Sequence, residues 1–441
     1  MKTWPSGDAS KRPAPNEGAE IAHELEAEIE RIRSRLAANE AERKELEAAL
    51  RDLVSRCSGA ANYSSPAIAD APGVMAASSA AEKIALFRRL FAGRADVFSV
   101  RWENRKTAKS GYAPACANEW VKGICGKPQV KCGECPHQAF IPVTDDIIEK
   151  HLRGGEGARG SGGDFVAGVY PLLPDETCWF LAADFDEESW AADALAVLET
   201  CQAKGVPAAL ERSRSGNGGH VWIFFSEPVS ARTARQLGAA MLTETMERRP
   251  EIGFASYDRF FPSQDTMPVG GFGNLIALPL QRRARELGNS VFIDQDLRPY
   301  DDQWAFLAAR PRLSAKAAAE IVDDAEMRGR ILGVRMPVED EDADEPWRMT
   351  PSRRPKAGPI GSPLSGKITI VVADQLYIDR TDLSPTLTAR LIRLAAFQNP
   401  EFYRAQSMRF PTFGKPRIIS CAELHPRHAG CPADASMKLL S

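Results

Sequence analysis

The feature that most limits the fold of this sequence is an alternation of strand-like and helix-like segments between residues 165 and about 305. Short apolar runs such as CWFLAADFD and GHVWIFF are rich in aromatic and β-branched residues, which indicates buried strands. Residues 188–204, 230–248 and 314–331 have the patterns of helices. Because such helices pack on a sheet, we predict a mixed α/β (α+β) domain over residues 146–335.

Composition limits the rest of the organisation. With 441 residues, of which 44% are hydrophobic, the chain has room for two or three domains with real cores. Its 56 basic and 59 acidic residues nearly cancel, so contact with a nucleic acid must come from local basic patches. No apolar stretch approaches the length of a membrane span and the N-terminus lacks a signal-peptide pattern, so we expect a cytoplasmic protein without membrane contact.

The first 83 residues contain a long helix between two irregular segments. Residues 1–20 have few apolar side chains and are expected to be disordered. Over 21–55 apolar residues recur at alternating spacings of four and three, with polar interruptions at Asn39 and Arg43. This heptad pattern favours a coiled coil that forms a homo-oligomer; the alternative is an amphipathic helix docked on its own domain. Residues 56–83, rich in small side chains, are typical of a linker.

A cysteine cluster in residues 84–145 predicts a small zinc module. Its members are Cys116, Cys125, Cys132 and Cys135. The C-x-x-C pair places two thiolates on one cation, and turns at the intervening glycines and proline can bring the other two to it. Nine cysteines without an export signal also favour free thiols and a metal site over disulfides. We predict a structural Zn²⁺, for which His137 could replace one cysteine; four free buried cysteines are the alternative.

The C-terminal region begins with a second linker. Residues 336–366 are proline-rich, acidic first and basic later, which is typical of an exposed segment. The string GSPLSGKI at its end resembles a P-loop, but Ile368 stands where the loop needs Ser or Thr. Residues 367–441 begin with the strand-like run KITIVVAD and later contain four metal-ligand side chains, Cys421, His425, His428 and Cys431. Since these four lack hydrophobic support, we favour a poorly ordered terminus over a metal site.

Two aspartates end the buried run CWFLAADFD. Asp184 and Asp186 are followed directly by Glu187 and Glu188. Ionised carboxylates this close repel one another unless a cation or hydrogen-bond donors compensate. A simpler alternative is a helix start, because acidic residues stabilise the first turn of a helix.

The loop before GHVWIFF combines guanidinium groups, hydroxyls and glycines whose backbone N–H groups a ligand can approach. This combination is typical of phosphate binding. His220 opens the strand and is expected to point at the same anion; a structural core histidine is the alternative. The candidate nucleotide-binding residues are Arg212, Ser213, Arg214, Ser215, Gly218, Gly219 and His220.

A third carboxylate, Asp258, lies between aromatic residues in SYDRFF. Three carboxylates can hold two divalent cations about 3.5–4 Å apart, which clamp the oxygens of a phosphoryl displacement. Hard oxygen ligands select Mg²⁺ or Mn²⁺ over Zn²⁺. We therefore predict Asp184, Asp186 and Asp258 as metal ligands and catalytic residues, with a nucleoside triphosphate as the substrate.

These three motifs occur in the order that is found in the archaeo-eukaryotic primase superfamily, which includes primase-polymerases. The sequence from about 165 to 307 is similar to the primase domain of TOTE conflict systems. The resemblance implies a two-part catalytic core with an RRM-like antiparallel sheet and an active site in the cleft. It implies that the three aspartates bind metal, and that His220, with Ser213 and Arg214 or Ser215, holds the nucleotide phosphates. Residues 367–441 are similar to the segment that opens the helicase half of such proteins, so we expect a truncated helicase-type region.

The sequence thus predicts a DNA or RNA primase-polymerase that transfers nucleotides by two-metal catalysis in a bacterial defence system. Its expected partners are a single-stranded DNA or RNA template, NTP or dNTP, and a separately encoded helicase. Two alternatives remain open. One is a catalytically silent nucleic-acid sensor or adaptor that recruits a helicase or nuclease, and the other is a metal-dependent phosphodiesterase.

Overall fold

The computed structural model describes residues 30–35, 73–104, 107–155, 164–332, 334 and 367–432. The chain divides into two units, Met1–Pro72 and Gly73–Ser441. In the first unit the described residues are exposed and helical, with an ion pair of 3.6 Å between Arg33 and Glu30. The segment 1–20, most of the coiled coil 21–55, most of the linker 56–83 and the linker 336–366 lie outside the described residues, so those assignments stay predictions.

The second unit contains helices close to the predicted ones. In chain order they are α1 (Ala80–Leu90), α2 (Asp145–Arg153), α3 (Trp190–Ala203), α4 (Ala231–Met246), α5 (Arg282–Glu286), α6 (Gln303–Ala308), α7 (Ala315–Met327), α8 (Pro385–Leu394) and α9 (Pro400–Ser407). Helix α1 begins inside the predicted linker, because Ser79 and Glu82 form a capping box at its first turn. None of the helices in the described ranges is long and apolar enough to span a bilayer.

Two antiparallel sheets form the α/β domain, and the first of them includes two strands from the segment 84–145, outside the predicted bounds of 146–335. The first is ordered β2-β1-β3-β8 and the second β7-β4-β6-β5-β9. Their strands are β1 (Ser99–Asn104), β2 (Lys109–Pro114), β3 (Ala167–Val169), β4 (Thr177–Phe185), β5 (Ala209–Arg212), β6 (Gly219–Ser230), β7 (Phe260–Phe261), β8 (Ile276–Ala277) and β9 (Val291–Ile293). The mixed α/β class with antiparallel sheets is therefore confirmed. Strands β3 and β8 are shorter than their apolar runs, which contain Pro171 and Pro279, residues without a backbone N–H.

The five-stranded sheet has a helix against each face. On one face, α4 packs on β4 at Gly238, where a β-carbon would lie 2.8 Å from the Leu181 side chain. On the other, Phe91 at the end of α1 packs edge-on against Trp222 and Phe224 of β6, with ring centroids 5.1 and 5.4 Å apart. The segments 84–145 and 146–335 thus share one hydrophobic core.

Residues 367–432 carry six short strands in two further antiparallel sheets. They are β10 (Ile370–Val372), β11 (Leu376–Asp379), β12 (Ala396–Gln398), β13 (Ile418–Ser420), β14 (Glu423–Leu424) and β15 (His428–Cys431), with sheet orders β10-β11-β15-β14 and β12-β13. The segment around Cys421 and His425 is thus part of β-structure, and we correct the expectation of a poorly ordered terminus for it, since β14 and β15 pair there.

Buried polar contacts join this C-terminal segment to the α/β domain. Arg417, only 1% exposed, donates its backbone N–H to Asp258. Gln406 Nε2 donates to Asp265 at 3.0 Å, and the same carboxylate oxygen accepts from Arg235 of α4 at 2.8 Å. Because these groups are buried away from water, the folded state would be destabilised if any of them lost its partner.

Replacing Asp265 by alanine is expected to lower the free energy of unfolding by about 3–5 kcal/mol, because it leaves the buried Arg235 guanidinium without its partner. The control is Asp324→Ala, which removes an exposed 2.8 Å pair with Arg328 and is expected to cost at most about 1 kcal/mol. Urea denaturation of both variants measures the difference. Equal losses in the two variants would show that the buried Arg235–Asp265 pair contributes no more to stability than an exposed pair does.

Candidate functional site

Four charged residues lie side by side across four neighbouring strands or strand ends. In the sheet register Asp184 of β4 is opposite His220 of β6, and His220 is opposite Glu211 of β5. On the other side of β4, the Asp184 N–H donates to the carbonyl of Arg259, 3.0 Å away, just before β7. We call Arg259, Asp184, His220 and Glu211 the charged row.

The strand period places this row at the end of an aromatic face. Side chains two apart on a strand share a face, so Asp184 lies on the same face as Ala182, and His220 on that of Trp222. Ala182 and Trp222 are cross-strand partners, and Trp222 is fully buried. The apolar strand β4 therefore ends with Asp184 at the edge of the core, and the chain continues through Asp186 toward α3.

His220 lies between two carboxylates. Its Nδ1 is 2.9 Å from Glu211 Oε2, and its Nε2 is 3.6 Å from Asp184 Oδ1. Burial by itself lowers the pKa of His220, but the charge and hydrogen bond of Glu211, together with Asp184, outweigh burial and raise it. The ring therefore holds a proton more firmly than an exposed imidazole.

Arg259 lies between Asp184 and Asp186. Its Nη1 contacts Asp186 Oδ1 and is 3.8 Å from Asp184 Oδ2. Burial raises the pKa of Asp184, His220 opposes the rise, and repulsion from Asp186 adds to it. One guanidinium thus supplies part of the positive charge that this pair of carboxylates requires.

Asp258 makes different contacts. It ends a 3₁₀ turn over Phe254–Asp258, and both of its carboxylate oxygens accept from the Arg417 backbone N–H, at 3.0 and 3.1 Å. Burial raises the pKa of Asp258, and the Arg417 hydrogen bond opposes that rise. The neighbouring residue Arg259, not Asp258, contacts Asp184 and Asp186.

The β5–β6 loop lies beside the end of β4. A β-carbon at Gly218 would be 2.7 Å from the Phe185 carbonyl and 3.3 Å from Asp186 Cα, so a glycine is needed for this approach. Ser213 donates its N–H to the Gly218 carbonyl at 2.8 Å, which closes the loop. The Ser213 and Ser215 hydroxyl oxygens are 3.1 Å apart. The loop that carries these hydroxyls therefore lies beside the end of β4.

The remaining predicted loop residues have distinct positions. Arg212 donates to the carbonyls of Gly288 and Leu297, at 3.1 and 2.6 Å, so two of its N–H groups are used within the fold. Arg214 lies close to Tyr112 of β2 and opposes the rise that burial causes in the Tyr112 pKa. Gly219 opens β6 and pairs with both Phe185 and Arg212.

The acidic pair, Asp184 and Asp186, fits an oxygen-ligated divalent ion, and the role of Asp258 as a third ligand stays a prediction. Asp184 and Asp186 are both within reach of one guanidinium nitrogen, so a single cation can be shared between them. Mg²⁺ and Mn²⁺ take carboxylate oxygens. Within the described ranges, however, no group of three or more His, Cys, Asp or Glu side chains is arranged to hold a metal ion.

The four cysteines of the predicted zinc module line one small cavity of about 20 Å³ together with His137. A space of this volume holds about one water-sized group, and thiolate donors suit Zn²⁺. Burial raises the pKa of the Cys132 thiol, while nearby Lys127 opposes the rise. The cavity places the predicted ligands around a common space, and the zinc site stays a prediction.

Sequence reasoning missed three residues: Glu211, Arg259 and Arg417. Glu211 was visible as a charge inside an apolar strand-like run, a signal that a buried partner is required. Arg259 is adjacent to Asp258, but its direction depends on the pairing of β7 with β4. Arg417 is 159 residues away from Asp258 in the sequence and carries no local signal.

Comparison with known proteins agrees with the resemblance seen in the motifs. A family model described as the archaeo-eukaryotic primase domain of TOTE conflict systems matches residues 82–321, more than half of the chain. Among curated proteins, none matches significantly.

Among solved structures, the chain is similar to the polymerase domain of Mycobacterium tuberculosis Ligase D, in complex with DNA. The identity is 14% and the TM-score 0.25, with 58% of this chain and 91% of that chain covered. Since the TM-score is so low, we base no conclusion on this likeness. The family match alone is sufficient: this chain belongs to the archaeo-eukaryotic primase domain family of TOTE conflict systems.

Proposed function

We propose that this protein is a template-dependent nucleotidyltransferase, a DNA or RNA primase-polymerase. The observation that supports this best is the charged row, which brings Asp184 and His220 together at the edge of the sheet beside the Ser213–Gly218 loop. Carboxylates for a cation and donors for phosphate oxygens thus lie within one small area. The whole area falls inside the residues that the primase family model matches.

In this proposal the incoming NTP or dNTP lies along the β5–β6 loop. His220 Nε2, the hydroxyls of Ser213 and Ser215 and the backbone N–H groups near Gly218 would donate to its phosphates. Arg214 is available on the side toward β2, and Arg212 would support the loop from behind through its carbonyl contacts.

Asp184 and Asp186 would hold the divalent ions. An Mg²⁺ or Mn²⁺ ion held by these residues would lower the pKa of the attacking hydroxyl and neutralise the triphosphate. Arg259 must then move from between the two carboxylates, because a guanidinium and a metal ion cannot share that space. Asp258 would be the third ligand, with the Arg417 backbone N–H orienting its carboxylate.

The template would be a single strand of DNA or RNA. Trp120 in the cysteine module is 55% exposed, with the Lys127 ammonium 5.7 Å from its ring centroid. An exposed aromatic side chain is suited to stacking a base, whereas the Lys127 ammonium is already paired with Glu119 at 2.6 Å. The proposal also includes a separately encoded helicase as a partner, a homo-oligomer formed through the coiled coil, and a role in bacterial defence.

A second candidate is a nucleic-acid sensor or adaptor without catalytic activity. It is favoured by the contacts of Arg259 with Asp184 and Asp186, which place a guanidinium where a cation would bind. In a sensor these contacts would persist when nucleic acid binds. In a polymerase they would open when a nucleotide and metal enter.

Primer extension on a single-stranded template with Mn²⁺ and NTPs or dNTPs separates the two candidates. The wild type is expected to extend the primer, and Asp184→Asn to lower the rate by at least about 10²-fold, because the charge-bearing oxygen of the site is lost. The control is Glu199→Gln on the exposed side of α3, expected to act as the wild type. Template binding without extension in the wild type would support the sensor, and equal extension by Asp184→Asn would refute the proposed site.

Zinc content tests the cysteine module. The purified wild type is expected to contain about one Zn²⁺ per chain, since four thiolates complete a structural site. Cys132→Ser is expected to lose the zinc, whereas Cys421→Ser, which alters an exposed cysteine outside the cavity, is expected to retain it. Elemental analysis by mass spectrometry measures both. A wild type without zinc, or equal zinc in the two variants, would contradict the assignment.

A further inference from the structure

Glu211 is a charged residue in the interior of the five-stranded sheet. It lies in β5 next to Leu210, and only 2% of it is exposed. A buried carboxylate costs several kcal/mol unless hydrogen bonds or a charge compensate it. Its partners therefore reveal what it does for the fold or for the site.

Both partners of Glu211 come from β6, two residues apart. The Trp222 indole Nε1–H donates to Glu211 Oε2 at 2.8 Å, and His220 Nδ1 is 2.9 Å from the same oxygen. An indole nitrogen can only donate, and an ionised carboxylate can only accept. The proton of this His220 contact therefore resides on Nδ1.

This contact decides which edge of the imidazole faces the site. With Nδ1 directed at Glu211, the opposite ring atom, Nε2, is directed at Asp184, 3.6 Å away. A ring turned by half a revolution about its side-chain bond would exchange the two edges. In proteins the hydrogen bond of one ring nitrogen commonly sets the orientation and tautomer of the other.

The structure also fixes Glu211 itself. Trp222 is fully buried and packs on Phe180 and Phe91, with ring centroids 5.1 Å from each. An indole held in this way can hold the carboxylate oxygen at one place. A chain of contacts thus runs from the aromatic core through Trp222 and Glu211 to His220 and the edge of the site.

We propose that Glu211 is a positioning residue of the nucleotide site: its carboxylate fixes the His220 ring so that Nε2 faces the phosphates of the bound nucleotide. This inference rests on the proposed function, because it takes His220 as a phosphate ligand. Glu211 touches neither nucleotide nor metal. It acts only through the imidazole. The property of Glu211 that matters is the length of its side chain, which brings the carboxylate to His220.

Two substitutions distinguish the effect of the length of the Glu211 side chain from the effect of its charge. Glu211→Gln keeps an acceptor oxygen at the same distance from the backbone but removes the charge. Glu211→Asp keeps the charge but withdraws the oxygen by one methylene from His220 and Trp222. At an acidic pH where the imidazole carries a proton on both nitrogens in every variant, a positioning role predicts that Gln binds nucleotide nearly as the wild type does. Asp is then expected to raise the nucleotide Kd by about 10- to 100-fold, the range for losing a hydrogen bond to a charged group.

Two measurements on the full chain test this. The first is ¹⁵N NMR of the histidine side chains, with His220 assigned by comparison with His220→Asn among only six histidines. Wild type and Glu211→Gln are expected to show His220 with a protonated Nδ1, and Glu211→Asp to lose that signature. The second is the Kd for a non-hydrolysable nucleoside triphosphate, measured by calorimetry.

A matched control corrects for stability. Thr245→Val removes a fully buried hydroxyl of α4, which donates to the Met241 carbonyl and contacts Thr200, away from the charged row. It is expected to lower the melting temperature without changing the nucleotide Kd. Each Glu211 variant is measured below its own melting temperature.

The outcomes distinguish the inference from the function on which it rests. If the wild type binds the nucleotide and Glu211→Asp binds it equally well, Glu211 does not position His220, and the proposed function stands. If Gln weakens binding more than Asp does, charge and not reach is what Glu211 supplies, which also overturns the inference. If the wild type binds no nucleoside triphosphate, both the inference and the proposed nucleotide site are wrong.

Discussion

The structure of this site depends on one electrostatic problem, the repulsion between Asp184 and Asp186 at the end of a buried strand. Two carboxylates on one strand face raise the free energy of the folded state unless positive charge lies beside them. The fold supplies that charge from both sides of β4, as Arg259 before β7 and as His220 on β6. His220 in turn is held by the buried Glu211, so the positive and negative groups alternate across four strands.

This arrangement follows from strand register. Antiparallel pairing sets Asp184 against His220 and His220 against Glu211, and a shift by one residue would turn each side chain to the other face of the sheet. The register is held by the aromatic face below the row, where Phe180 and Trp222 pack at 5.1 Å. The same strands therefore carry both the aromatic core of the domain and the charged row at its edge.

Much of this was predictable from the sequence. The strand runs, the helices near α3 and α4, the proximity of Asp184 to the His220 loop and the primase family followed from local patterns, because short-range periodicity and motif order encode them. The direction of a side chain across a sheet is set by partners distant in the chain. The contacts of Arg259 with Asp184 and of the Arg417 backbone with Asp258, for example, depend on how strands far apart in the sequence pair. Nothing near Arg417 in the sequence signals that contact.

The central claim is that the acidic pair beside His220 is where a divalent ion binds. The most direct measurement is paramagnetic broadening by Mn²⁺ of the imidazole signals of the six histidines. We expect the His220 signal to broaden at the lowest Mn²⁺ concentration, and Asp184→Asn to remove this effect. A His220 signal that stays sharp while other histidines broaden would show that the ion binds elsewhere.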